Sequence, residues 1–227
     1  MSRVHDMGGR FGDGPVEVDA ADAPVFKEDW HGRALALTLA SAALGKWNID
    51  TSRHARERLA PQDYSRFSYY EKWIAGATDL LVETGVLTPE DLDTPEAEAP
   101  RHELADRALT PERVARVLSA GGPADRTCDV VKMFKPGDKV RTLAKAGNRF
   151  VDGGHTRLPS YAAGAVGEVV RFHGTHVFPD RSAHGLGEAP EPLYAVAFAA
   201  SDLWVVAEDD GDEVILDLWQ SYLEPAP

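Results

Sequence analysis

The chain has 227 residues, 43% hydrophobic and 27% charged, enough for one large domain or two modest ones and too globular in composition for a peptide, a linker or disorder throughout. Its 24 basic and 37 acidic side chains leave a net charge of −13, the wrong sign for binding phosphate backbones by counterion release, so no nucleic-acid partner is expected. The most apolar stretch, residues 34–44, is short of the roughly 20 residues that span a bilayer and contains Thr38 and Ser41. The start, MSRVHDMGG, lacks the basic flank and apolar run of a signal peptide, and the lone Cys128 cannot pair within the chain, so a cytoplasmic protein with no membrane segment is expected.

Taken in chain order, the opening stretch carries Gly8, Gly9, Gly12, Gly14, Pro15 and Pro24 with little apolar periodicity, which predicts an extended arm over residues 1–24. Val4, Met7, Phe11 and Val16 suit it to docking on a partner; a frayed terminus is the alternative. From Phe26 the pattern is helical, with Trp30, Leu37, Ala40 and Leu44 on one stripe and Gly45 at the end. Asp50 is predicted to cap a short helix that runs through Arg53 to Leu59, before Pro61. Residues 68–84 predict a longer helix with Trp73, Ile74, Ala77, Leu80 and Leu81 on its buried face and Gly85 as its C-terminal cap. Thr88-Pro89 and Thr110-Pro111 each place a hydroxyl at a cap and proline at the first helical position, so two more short helices follow.

The acid- and proline-rich residues 93–101 predict a solvated connector, and a linker is expected over 122–130. Beyond it the period shortens to that of strands, over residues 139–143, 167–172, 193–198 and 213–219, with glycine and proline turns between them. A small closed barrel over 131–227 would leave no exposed edges. The expected class is therefore α+β: an arm (1–24), a helical domain (25–121), a linker and a C-terminal β-barrel.

No phosphate loop, no Gly-x-Ser-x-Gly elbow and no Cys-x-x-Cys pair is present in the sequence. His173 and His176, with His184 or Asp180 as a third group, have a spacing that could serve a metal. On a regular strand, however, residues three apart face opposite sides, so packing histidines are the preferred reading and no metal ligand is assigned. Cys128 is read as an ordinary small residue. Two arginines stand out by context: Arg53 in NIDTSRHARERLAP, near a helix start, and Arg157 in DGGHTRLPSYAAGAVG, a glycine-rich loop before a strand. A guanidinium keeps its charge and offers a planar fork that binds two oxygens of an oxyanion, although a solvated surface charge is the commoner role. Between them YSRFSYYEKW supplies Tyr64, Phe67, Tyr69, Tyr70 and Trp73, suited either to core packing or to positioning a small polar substrate.

These segments, taken in order, resemble the β subunit of nitrile hydratase. The similarity runs through VHDMGG with GPV, PVFKEDW, NIDTSRHARERLAPQDY, SYYEKW with LLVETGVLT, PGDKVR, GGHTRLPSYAAGAVGEVV, HVFPD with GLGE, LYAVAFAASDLW and DLWQSYLEP. The resemblance implies an SH3-like barrel as the C-terminal domain and hydration of small nitriles to amides by a complex with an α subunit, as αβ or α2β2. It further implies non-corrin cobalt(III) or non-haem iron(III), held by α-subunit cysteines, two of them oxidised to sulfenic and sulfinic acids. Arg53 and Arg157 then match the family arginines that bind the oxygens of those cysteines. Tyr69 matches the first tyrosine of the family's pair, near substrate or the attacking water, while Trp73 and Ile49 match pocket walls. Ser52 stands where some relatives carry phenylalanine, which implies room for bulkier nitriles. A metal-loading activator and a thiocyanate-hydrolase-type subunit are the alternatives, alongside a non-catalytic adaptor.

Overall fold

A computed structural model describes residues 5–6, 17–94, 104–207, 209 and 211–227. The chain divides between Gly122 and Pro123 into two compact units, the second of which also takes in Asp6. Most of the expected arm, including Val4, Met7, Phe11 and Val16, lies outside the described residues, as does most of the connector expected over 93–101. Residues 17–24 are exposed and have no regular secondary structure beyond a turn.

The first unit is helical: α1 (Asp29–Ala42), α2 (Ile49–Glu57), α3 (Pro61–Arg66), α4 (Tyr69–Glu83), α5 (Pro89–Asp93) and α6 (Pro111–Ala120). α4 forms where predicted because Ser68 and Glu71 make a reciprocal capping box and Gly85 accepts a left-handed φ of +70° at its end. α5 has the same kind of box, between Thr88 and Asp91, behind Pro89. α1 packs on α4 through Ala34 and Thr38 rather than through Leu37, which is 60% exposed. Small side chains let the two helices approach closely, and of the expected stripe Leu37 faces outward while Trp30, Ala40 and Leu44 are partly buried. At their N-terminal ends an aromatic group ties the pair together, with His31 4.7 Å and Phe26 6.0 Å from Tyr70 between ring centroids.

α2 begins earlier than expected. Its cap is Asn48, whose Oδ1 accepts the Thr51 N–H at 2.9 Å, while Asp50 is buried in the first turn, where a carboxylate complements the helix dipole. α2 crosses α4 at Gly76, where a Cβ would lie 2.8 Å from Arg56 Cγ and 3.3 Å from the Arg56 amide nitrogen. α3, unexpected from the sequence, starts on Pro61, the residue read there as a terminator. Proline at the first helical position both ends one helix and opens the next.

The second unit carries β1 (Lys139–Thr142), β2 (Val166–His176), α7 (Pro179–Ser182), β3 (Glu191–Ala199), α8 (Ala200–Leu203), β4 (Glu213–Trp219) and β5 (Leu223–Pro225). All pairings are antiparallel and the order is β4-β3-β2-β1-β5. β3 is an interior strand buried along almost its whole length, and its Val196 and Phe198 join Val169 of β2 and Leu218 of β4 in one core with Leu158, Phe178 and Tyr222. Gly167 must be glycine, since a Cβ there would meet the Ala197 carbonyl oxygen at 2.7 Å. The expected closed barrel is not reproduced in the hydrogen-bond ladder: the sheet is open, with β4 and β5 at its edges. A 3₁₀ turn at Gln220–Tyr222 sends β5 back to β1 instead of onto β4. The β5 edge is protected by its shortness and by Pro225.

β2 runs on through RFHGTH, beyond the expected end at Phe172, because register shifts at Val169/Arg171 and Phe172/Gly174 let it bend without ending. No described helix is long and apolar enough to cross a membrane.

Candidate functional site

The helical unit gathers Ile49, Ser52, Arg53, Tyr69 and Trp73 onto two packed helices. On α2, Ile49, Ser52, Arg53 and Arg56 follow the i, i+3, i+4, i+7 spacing that defines one helix face. On α4, Tyr69 and Trp73 are one turn apart, with ring centroids separated by 5.5 Å. Arg56 joins the helices: its guanidinium lies 4.5 Å from the Trp73 ring centroid and its Nε donates to the Ser52 carbonyl at 3.2 Å. Burial, and after it the positive charge of Arg53, hold the Arg56 guanidinium below its usual pKa. Arg56 was not singled out from the sequence, although its place one helical turn beyond Ser52 in SRHARE was available as a signal.

Arg53 lies 4.0 Å from Asp50 Oδ1 with its side chain 39% exposed. Ile49 and Tyr69 are 64% and 63% exposed, so an aliphatic group on α2 and an aromatic group on α4 are both accessible. Exposed aromatic and aliphatic groups beside an arginine suit a surface that another molecule covers, since water gains nothing from solvating them.

Arg157 belongs to the other unit and is exposed, on a loop between β1 and β2. Its backbone is held from beneath. Tyr222, 2% exposed, accepts the Arg157 N–H at 3.1 Å and the Thr156 hydroxyl at 3.3 Å, and donates its own proton to Asp180 Oδ1. The same loop is fixed by Asn148, which donates to the His155 and Asp180 carbonyls, and by His184 Nε2, which accepts the His155 N–H at 2.9 Å. The Ser160 N–H donates to Asp6 at 2.7 Å. Burial is the largest influence on Asp180 and pushes its carboxyl up to about 6, against the pull of the Tyr222 hydroxyl. Tyr222 and Asp180 were not assigned as site residues; the fold alone brings them under the loop.

Most of the groups weighed as ligands are engaged otherwise. His173 Nε2 is 2.9 Å from Asp217, and His184 and Asp180 serve the Arg157 loop. Among the described residues no group of three His, Cys, Asp or Glu side chains is placed to hold a metal ion.

The chain is thus built in two parts, with an exposed arginine, aliphatic and aromatic group on α2 and α4 of the helical unit and a second exposed arginine on a loop of the other unit. The family model described as nitrile hydratase beta subunit, N-terminal, matches residues 1–118, and the one described as nitrile hydratase beta subunit, C-terminal, matches residues 123–225. Relatives match over the full length. The low-molecular weight cobalt-containing nitrile hydratase subunit beta of Rhodococcus rhodochrous is 36% identical, and the nitrile hydratase subunit beta of Pseudomonas putida 38% identical, each over 100% of both chains. The cobalt-containing nitrile hydratase subunit beta of Pseudonocardia thermophila is 35% identical over 99% of this chain and 96% of its own. A chain of recombinant apo thiocyanate hydrolase from Thiobacillus thioparus aligns with a TM-score of 0.38 at 26% identity, covering 52% of this chain and 98% of that one. The chain belongs to the nitrile hydratase β subunit family.

Proposed function

We propose that this chain is the β subunit of an enzyme that hydrates small nitriles to amides, at a metal centre held by an α subunit. The observation that carries this is the α2–α4 face, where an exposed Arg53 stands with Ile49 and Ser52 on one side of α2, and the Tyr69–Trp73 pair lies on the adjoining helix. Full-length similarity to subunits named as nitrile hydratase, two of them named as cobalt-containing, supports the same reading.

The described residues fit the surroundings of a metal rather than its ligand shell, because arginine offers donors only. Bound in the partner, cobalt or iron would supply a Lewis acid that polarises a nitrile or activates water. Arg53 and Arg157 would give charge-assisted hydrogen bonds to the oxidised cysteine oxygens around it and hold them in a fixed orientation. Arg56, packed on Trp73 and bonded to the Ser52 carbonyl, stiffens the turn that carries Arg53. The Tyr69 hydroxyl orients substrate or water, and Ile49, Ser52 and Trp73 wall the pocket. For the C-terminal unit an SH3-like architecture is supported by the strand order and by the 3₁₀ turn that returns β5 to β1.

Arg53→Lys and Arg157→Lys, made in the complex with the α subunit, keep the charge and lose the fork. Each should leave assembly intact and lower amide formation by about 10- to 100-fold. Wild-type turnover in both variants would remove the arginines from the site.

A further inference from the structure

At Thr156 and Arg157 the loop is tied to the core through the hydroxyl of Tyr222. That oxygen accepts the Arg157 backbone N–H at 3.1 Å and the Thr156 hydroxyl at 3.3 Å. A phenol has a single proton, and with two donors directed at the oxygen it must be spent on an acceptor, which is Asp180 Oδ1. Tyr222 and Asp180 are each 2% exposed and come from separate elements, the 3₁₀ turn before β5 and the short helix α7. The Tyr222 ring is fixed in turn, 5.5 Å from Phe178 and 6.3 Å from Trp219 between centroids. Asp180 is clamped from its other end, its carbonyl accepting from Asn148 Nδ2 at 2.7 Å. A buried tyrosine of this kind could have satisfied its hydroxyl on any nearby carbonyl. Here it takes the amide of the very residue whose side chain faces outward with a permanent charge.

We propose that Tyr222 and Asp180 are positioning residues for Arg157: Asp180 orients the Tyr222 hydroxyl, and the hydroxyl sets where the Arg157 backbone, and hence its guanidinium, stands. The role rests on the proposed nitrile-hydrating function of Arg157, but the tether itself does not, so the two can fail separately. Tyr222→Phe removes the hydroxyl and keeps the ring in the core. Asp180→Leu removes the acceptor, and Asp180→Asn restores an acceptor oxygen without the charge.

The test is made in the complex with the α subunit. Tyr222→Phe should lower kcat about tenfold or more with a smaller change in KM, and the loss should disappear when Arg157 is already Lys, because a residue that acts through Arg157 has nothing left to position. Asp180→Leu should behave like Tyr222→Phe, and Asp180→Asn should recover most of the activity; this pair decides the matter if Tyr222→Phe does not assemble. Amide hydrogen exchange should quicken over residues 154–160 in Tyr222→Phe and stay unchanged over β3. Equal fold-losses in the Arg157 and Lys backgrounds, or unchanged exchange over 154–160, would overturn the proposal. If the wild-type complex makes no amide, the functional reading fails, and exchange over 154–160 alone then supports or overturns the tether.

Discussion

Ser52 and Asp180 show how much a single side chain carries in this chain. Ser52 is half-buried on the α2 face, where it offers only a hydroxymethyl group, and its carbonyl accepts from Arg56. Ser52→Phe should lower the rate on benzonitrile relative to acetonitrile by about tenfold, within the discrimination that pocket volume supplies. An unchanged ratio would show that position 52 does not border the substrate. Asp180 makes a different contribution. Its carboxyl is raised to about 6 by burial, so the folded chain binds more protons than the unfolded one between about pH 4 and 6. The stability this group contributes is present below its unfolded pKa and is lost as pH rises through about 6. Asp180→Asn does not titrate, so its stability relative to wild type should improve by about 3 kcal/mol between pH 4 and 7, read from urea unfolding of the full chain at each pH. A difference that is flat with pH would contradict the buried, raised carboxyl.

At the scale of elements, the crossing of α2 on α4 is what gathers the site, and Gly76 permits it. A methyl group there would meet Arg56 Cγ at 2.8 Å and the Arg56 backbone at 3.3 Å, and the backbone cannot yield as a flexible side chain can. Gly76→Ala gains in helix propensity, yet overpacking should make the net change destabilising by about 1–3 kcal/mol. It should also displace Arg56 from Trp73, read as a change in tryptophan fluorescence; a variant more stable than wild type would contradict the close crossing. The helices with local punctuation were legible in the sequence: Ser68 with Glu71, Thr88-Pro89, Thr110-Pro111, Gly85 and Gly121 all fall at observed ends. The Asn48 cap was not, because Asp50 is an equally good capping type and only burial shows it to be inside the first turn. Leu37 misled for a related reason: periodicity finds an apolar stripe but not whether a neighbour covers it. β4 was legible to the residue as an apolar run bounded by turns, whereas β5 is too short to show a period and exists through its pairing with β1.

For the whole molecule, the same limit separates what residues say from what surroundings say. Arg53, Tyr69 and Trp73 could be picked out by type and context, and the resemblance to nitrile hydratase β subunits gave them roles. The parts played by Arg56, Tyr222 and Asp180 lie in contacts between segments distant in sequence, such as Tyr222 with Arg157 or Arg56 with Trp73, although the spacing of Arg56 from Ser52 and the type of Asp180 could be read from the sequence. The roles proposed for Arg53, Arg157 and Tyr69 are all played toward a metal that the α subunit would hold, so the proposal stands or falls with the complex. The most direct measurement is therefore to co-express the full chain with its α subunit, purify the complex, determine its metal content and assay amide formation from acetonitrile. The account predicts a stable complex with about one cobalt or iron per αβ pair that makes amide. A metal-loaded complex that makes no amide from any simple nitrile, or the failure of the two chains to associate, would contradict it.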